Sequence, residues 1–269
     1  MTTPAALRDL AVEVATAAAD LVRRSSDDVV VAATKSSAVD VVTEVDRRSE
    51  ALVRRLLLTA RPDDGVLGEE EGDVRGTSGV RWIVDPVDGT VNLLHGIPEY
   101  AVSVAAEVDG AVVAGAVVDV PAGHVYAAAT GEGATKDGVP LRVRPPAAQG
   151  ARLVLTGFGY QAEVRAHQGE CVARLLPRVR DIRRMGSCAL DLCHLAEGRA
   201  DAYVEEGPAI WDWAAGQLVL TEAGGRFALL PGHLGRRLEG WSEQSVVVAT
   251  GGEEWDGFVA DLQDCGFLA

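Results

Sequence analysis

The run Trp82-Ile83-Val84-Asp85-Pro86-Val87-Asp88-Gly89-Thr90 constrains this chain more than any other stretch. Trp82 to Val84 is a short apolar, β-favouring segment, the pattern of a buried strand. Pro86 has no amide hydrogen to give to a ladder, so the strand is expected to end just past Asp85. Gly89 and Thr90 then supply small residues whose amides can face an anion where a helix starts. Two carboxylates, from Asp85 and Asp88, thus stand at a strand end beside an anion cradle. Hard oxygen ligands in that setting suit Mg²⁺ held against a phosphate. A lone D-P-x-D-G-T also describes an acidic turn with one capping Asp, so the rest of the chain has to decide.

With 269 residues the chain has the length for one large domain or two modest ones, and for a sizeable core. Only 5% of it is aromatic, so that core must be built from Val, Leu and Ala. A net charge of −15 argues against a nucleic-acid partner, which needs a basic footprint. It leaves a phosphorylated substrate open, because bound cations invert the local field. The four cysteines, Cys171, Cys188, Cys193 and Cys265, fit no zinc spacing and read as small hydrophobes in a reducing compartment. Met1 to Asp20 lacks the basic region and apolar run of a signal peptide, and no segment approaches the ~18 apolar residues of a membrane span. A soluble cytoplasmic protein with no membrane partner is expected.

Hydrophobic spacing sets out the elements. Leu7, Leu10, Ala11, Val14, Ala18, Leu21 and Val22 predict an amphipathic helix over 4–24. Residues 30–45 read as extended, with a turn near Lys35-Ser36-Ser37, and a helix follows from Glu44 to Ala60. Gly65-Val66-Leu67 reads as a strand entering Gly68-Glu69-Glu70-Glu71. Residues 100–143 alternate or run in Val and Ala between turns at Asp109-Gly110, Pro121-Ala122-Gly123 and Lys136-Asp137-Gly138, the pattern of antiparallel hairpins. Pro145 to Gly150 is the best boundary, dividing an α+β part (1–146) from an α/β part (147–269). Beyond it come a strand over 152–156, helices over 161–177 and 187–197, and a strand over 201–204. A helix from Trp213 to Glu222, capped by Asp212, a strand over 245–249 and a helix over 254–262 complete the reading.

Three acidic clusters fall at strand ends or helix starts: Glu69-Glu70, Asp85 with Asp88, and Asp212. Each alone is explained by a solvated loop or a helix cap. Together, Gly68-Glu69-Glu70, Trp82 to Thr90 with Asn92, Trp211-Asp212-Trp213-Ala214-Ala215-Gly216 and Thr221-Glu222-Ala223-Gly224-Gly225 resemble the inositol monophosphatase family, in order and in separation. The resemblance covers nearly the whole chain. It implies an α+β fold, a layered αβαβα sandwich of the sugar-phosphatase type with the site between two subdomains. It also implies a Mg²⁺-dependent, lithium-sensitive enzyme and a homodimer.

Position by position, the resemblance makes Glu69, Asp85, the Val87 carbonyl, Asp88 and Asp212 the Mg²⁺ ligands. Glu70 supports a further, weaker ion. The Gly89 and Thr90 amides become the phosphate cradle. Thr90 with Asp46 becomes the pair that orients and deprotonates the attacking water, and Glu69 joins them as a catalytic carboxylate. Lys35 falls on a hairpin that closes over the site. Glu205 meets a substrate hydroxyl, and Gly186-Ser187-Cys188 forms the small-residue loop beside it, with Cys188 where the family usually has Ala. The implied reaction is hydrolysis of a phosphomonoester, inositol 1-phosphate foremost. Histidinol phosphate, fructose 1,6-bisphosphate and 3′-phosphoadenosine nucleotides are the alternatives on the same scaffold. A regulatory binding protein that needs no turnover is the alternative of a different class, and the intact acidic set argues against it.

Overall fold

The computed structural model describes residues 2–26, 31–34, 41–145, 147–148, 150–234 and 246–269. Helix α1 (Pro4–Ser25) starts where the Thr3 hydroxyl accepts the Ala6 amide at 3.2 Å, with Pro4 in the first helical position. Strands β1 (Val31–Thr34) and β2 (Val41–Thr43) form a separate antiparallel pair. The turn expected at Lys35-Ser36-Ser37 lies outside the described residues. Helix α2 (Glu44–Ala60) opens on a reciprocal cap in which Thr43 and Asp46 each bond the other's backbone amide.

The large sheet is built from β3 (Gly65–Gly68), β4 (Gly72–Val74) and β5 (Val80–Asp88). After the short helix α3 (Thr90–Leu94) it continues through β6 (Ala101–Val108), β7 (Ala111–Asp119), β8 (His124–Ala129), β9 (Gly133–Lys136) and β10 (Val139–Pro140). Its order is β10-β9-β8-β7-β6-β5-β3-β4, antiparallel except where β3 runs parallel to β5. Asp109 and Asp137 adopt positive φ ahead of a glycine, as tight hairpin turns between right-twisted strands require. The second sheet takes β11 (Leu153–Thr156), β12 (Asp181–Arg183), β13 (Ala202–Glu206), β14 (Arg226–Leu230) and β15 (Val246–Thr250) in the order β12-β11-β13-β15-β14. Here β11 is parallel to β12 and β13, and β15 is antiparallel to its neighbours.

Helices α4 (Ala162–Leu175), α5 (Cys188–Ala196), α6 (Ile210–Glu222) and α7 (Trp255–Cys265) complete the layers. Helices α1 and α2 share a core with one face of the large sheet. Helices α5 and α6 fill the space between the sheets, and α4 and α7 cover the outer face of the small one. The result is the expected α+β fold, an αβαβα sandwich. Strand β6 sends Val102, Val104 and Ala106 to one core and Ala101 and Ala105 to the other. A strand buried on both faces reads as a nearly continuous apolar run, and this one is broken only by Ser103 before Glu107 near its end.

Several details differ from the sequence reading. Strand β5 runs on through Pro86 to Asp88 instead of stopping past Asp85, because its register with β6 shifts between Asp85 and Asp88. At such a bulge the ladder is already interrupted, so proline removes no bond. Helix α6 starts at Ile210 with Ala209 at its cap, which puts Asp212 in the first turn, not at the cap position. Helix α4 is shorter than 161–177, and Pro177 sits in a following 3₁₀ turn. Strands β4, β12 and β14 have no counterpart in the sequence reading. All four cysteines are buried and free, and no helix of the described residues is long and apolar enough to cross a membrane.

Candidate active site

A cavity of about 340 Å³ opens between the two sheets. Its walls come from the turn after β3, the end of β5, the start of α6, the segment after β11, the start of α5 and the end of β13. Because β5 is buried along its length, its last residues are held rigidly. The Val87 amide donates to Asp85 Oδ1 at 3.0 Å, and the Ser49 hydroxyl donates to the Pro86 carbonyl at 3.0 Å. The bulge lets both Asp85 and Asp88 line the cavity, which strict alternation would forbid.

Asp88 Oδ2 accepts from the Ser187 hydroxyl and from the Ala189 amide, both at 2.7 Å, which ties it to the first turn of α5. Asp212 Oδ2 accepts the Ala209 amide at 2.6 Å. Oxygens of Asp85, Asp88 and Asp212 all lie within 4.8 Å of one another. Burial pushes Asp88 up to about 7 in spite of its hydrogen bonds from Ser187 and Ala189. Burial also raises Asp85 and Asp212 well above the carboxylate range, with Glu69 adding most charge at Asp85 and Asp88 at Asp212. The neighbours that do most to raise Asp85, namely Glu69, Asp88 and Asp212, are all carboxylates. Like charges gathered out of water in this way fit a bound cation, and oxygen donors alone fit a hard one such as Mg²⁺.

Glu69 lines the same cavity from the turn after β3. That turn is fixed by a residue the sequence reading missed. Glu50, fully buried on α2, accepts the amides of Glu70 at 2.8 Å and Glu71 at 3.0 Å, and Arg54 Nε at 2.8 Å. Gly68 is what admits it: a Cβ there would lie 2.2 Å from Glu50 Oε1. Glu70 is held by its backbone, and it is not among the residues lining the cavity.

Thr90 Oγ1 is 2.8 Å from Asp46 Oδ1 and 3.0 Å from the Val87 carbonyl. The preceding Gly89 has a φ of 97°, a conformation that glycine adopts without strain. Asp46, buried, therefore serves two masters: its other oxygen accepts the Thr43 amide at 2.9 Å.

On the opposite side, Gly186, Cys188 and Glu205 line the cavity, while the Ser187 hydroxyl is turned to Asp88. Burial raises Glu205, and its bond from the Tyr203 hydroxyl and the Arg184 charge oppose that rise. Lys35 lies outside the described residues. The sequence reading brought Glu69, Asp85, Val87, Asp88, Gly89, Thr90, Gly186, Cys188, Glu205 and Asp212 to one cavity. It missed the segment from Thr156 to Gln161, and Asp191, Glu206 and Trp211, which also line it.

The likenesses to known proteins agree with this geometry. A family model described as the inositol monophosphatase family matches residues 4–266. The chain is 46% identical over 245 residues to an inositol-1-monophosphatase of Mycobacterium bovis, covering 84% of each protein. It is 41% identical over 192 residues to a protein of Xylella fastidiosa named Nus factor SuhB, covering 71% of this chain and 70% of that one. Among solved structures it is similar to Mycobacterium tuberculosis SuhB, with a TM-score of 0.84 and 42% identity over the whole of both chains. With the match spanning nearly its whole length, the chain belongs to the inositol monophosphatase family.

Proposed function

We propose that this protein is a Mg²⁺-dependent phosphomonoester hydrolase whose preferred substrate is inositol 1-phosphate. The convergence of Asp85, Asp88 and Asp212 on the wall of a cavity of ester size carries the reading. Family membership supports the reaction class. Glu69, Asp85, the Val87 carbonyl, Asp88 and Asp212 would hold Mg²⁺. When bound, Mg²⁺ supplies positive charge against the transferred phosphoryl group and the leaving oxygen, and acidifies water beside it.

The chain's own groups do the positioning and move the proton. Thr90 Oγ1 passes its proton to Asp46 Oδ1 as it takes one from the attacking water, a relay that the 2.8 Å separation supports. The Gly89 and Thr90 amides orient phosphate oxygens. Glu205 accepts a hydrogen bond from a hydroxyl of the alcohol part, and Gly186 and Cys188 shape the wall beside it. Ser187 contributes by holding Asp88. The same reading takes the protein as a cytoplasmic homodimer, each chain divided into subdomains 1–146 and 147–269.

Phosphate release from a panel of phosphomonoesters, with and without Mg²⁺, tests the proposal. Inositol 1-phosphate should rank first by kcat/KM, and release should require Mg²⁺. Histidinol phosphate or fructose 1,6-bisphosphate in first place would replace the substrate, and no release from any ester would favour a binding protein. Asp85→Asn should stay folded and lose kcat by orders of magnitude. Near-normal Mg²⁺-dependent turnover in that variant would overturn the assignment of the metal centre.

A further inference from the structure

The carboxylate of Glu205 is held from two sides. Tyr203 and Glu205 stand two apart on β13, so their side chains share one face of the strand. The Tyr203 ring is fully buried in the core between the sheets, and its hydroxyl donates to Glu205 Oε2 at 2.5 Å. The same hydroxyl meets the Cys188 thiol, another wall of the cavity. The second side is Gly157. The register of β11 against β13 pairs Thr156 with Val204, which brings the next residue, Gly157, alongside Glu205. A Cβ on Gly157 would lie 2.1 Å from the Glu205 carboxyl carbon. The carboxylate therefore rests on bare backbone, with one oxygen engaged by a phenol anchored in the core.

We propose that Tyr203 and Gly157 are positioning residues that fix Glu205 so that Oε1 is the oxygen left to accept a substrate hydroxyl, and that they thereby set the enzyme's preference for a polyhydroxylated alcohol. The proposal rests on the reading of Glu205 as the hydroxyl acceptor. A carboxylate free to rotate would lose orientational freedom on binding, and one fixed beforehand avoids that loss. Tyr203 reaches only the wall that faces the alcohol part, Glu205 and beside it Cys188, since the phosphate end is handled by other residues. Its effect should be confined to substrates that carry the hydroxyl.

The measurement is the ratio of kcat/KM for inositol 1-phosphate to kcat/KM for p-nitrophenyl phosphate, which has no such hydroxyl. Tyr203→Phe keeps the ring and removes the donor. The ratio should fall about tenfold, through KM for inositol 1-phosphate more than through kcat. Glu205→Gln should lower the same ratio, and the double variant should fall no further than Glu205→Gln alone, because Tyr203 acts through Glu205. An unchanged ratio in Tyr203→Phe beside a lowered one in Glu205→Gln would reduce Tyr203 to a packing residue and leave the Glu205 reading standing. Additive losses in the double variant would overturn the proposal as well. An unchanged ratio in Glu205→Gln would remove the Glu205 reading and the proposal with it. Should Tyr203→Phe fail to fold, Gly157→Ala answers the same question: a lowered ratio supports the clamp and an unchanged one overturns it.

Discussion

At the scale of single residues, the site is defined by side chains doing two jobs at once. Asp46 caps α2 with one oxygen and meets Thr90 with the other. A cap residue is fixed by its backbone bonds, so the oxygen that meets Thr90 inherits the rigidity of the helix start. Thr90→Ala removes the hydroxyl between that oxygen and the cavity, together with the γ-methyl. Its steady-state kinetics should show kcat reduced far more than KM is raised, because the hydroxyl serves the transition state. A change in KM alone would make Thr90 a binding residue and dissolve its partnership with Asp46. Both residues were legible in the sequence, since the resemblance carries them on short, ordered motifs. Tyr203 was not, because a Tyr in an apolar strand reads as core, and only the strand's register shows where its hydroxyl ends.

At the scale of elements, α2 is the bar to which the end of β5, the start of α3 and the turn after β3 are bolted. Asp46 meets Thr90, Ser49 bonds the Pro86 carbonyl, and Glu50 bonds the amides of Glu70 and Glu71. Arg54, one turn on, pairs with Glu50 and donates to the Val66 and Gly72 carbonyls at the two ends of the hairpin. Glu50 and Arg54 in sequence look like an exposed i, i+4 pair on a polar helix face. They are buried because the hairpin closes over that face, a long-range fact that no local pattern encodes. Glu50→Gln removes the buried partner of the Arg54 charge and leaves it only the half-exposed Glu71 carboxylate at 3.4 Å, so the destabilisation should reach at most about 3 kcal/mol, the low end for breaking a buried pair. Urea denaturation should show that loss. A change within about 0.5 kcal/mol would mean the turn carrying Glu69 is held by other contacts. Strand β5 adds a complementary lesson: in sequence Pro86 reads as a stop, and the bulge makes it part of the strand.

At the scale of the whole molecule, the layers were legible and the seams between them were not. The Val and Ala runs read as antiparallel hairpin strands, and the resemblance supplied the order of layers. The polar groups trapped between layers came only with the structure. Glu99 and His194 are the clearest, with Glu99 Oε1 3.5 Å from His194 Nδ1 where the large sheet meets α5. Burial pushes Glu99 from 4.5 up to about 7, with Asp119 adding and Arg199 opposing. Burial pushes His194 from 6.5 down to about 4, with Arg199 and Lys136 adding and Glu197 opposing. The raised Glu99 contributes stability that is complete below 4.5 and is lost as pH rises through about 7. The lowered His194 contributes stability that is present above 6.5 and is lost as pH falls through about 4. Between these limits the two slopes oppose each other, so the pair leaves stability nearly flat. Glu99→Gln removes one slope. Its stability, measured by urea denaturation across that range, should rise with pH more steeply than the parent's, by at most about 1.4 kcal/mol per pH unit. Parallel profiles for variant and parent would mean that Glu99 does not titrate in this window.

The three converging carboxylates also have a meaning in time. Asp85 and Asp88 leave the ribosome long before Asp212, which lies beyond the second sheet's first three strands. Contacts so distant along the chain close late, after the loop entropy between them has been overcome. A nascent or truncated chain ending before α6 has the motif of the opening strand and its anion cradle, yet only part of the cage. The gathered carboxylates are thus a record that both halves of the polypeptide have met, and on the proposed function the chain can begin to work only once α6 has docked between the sheets.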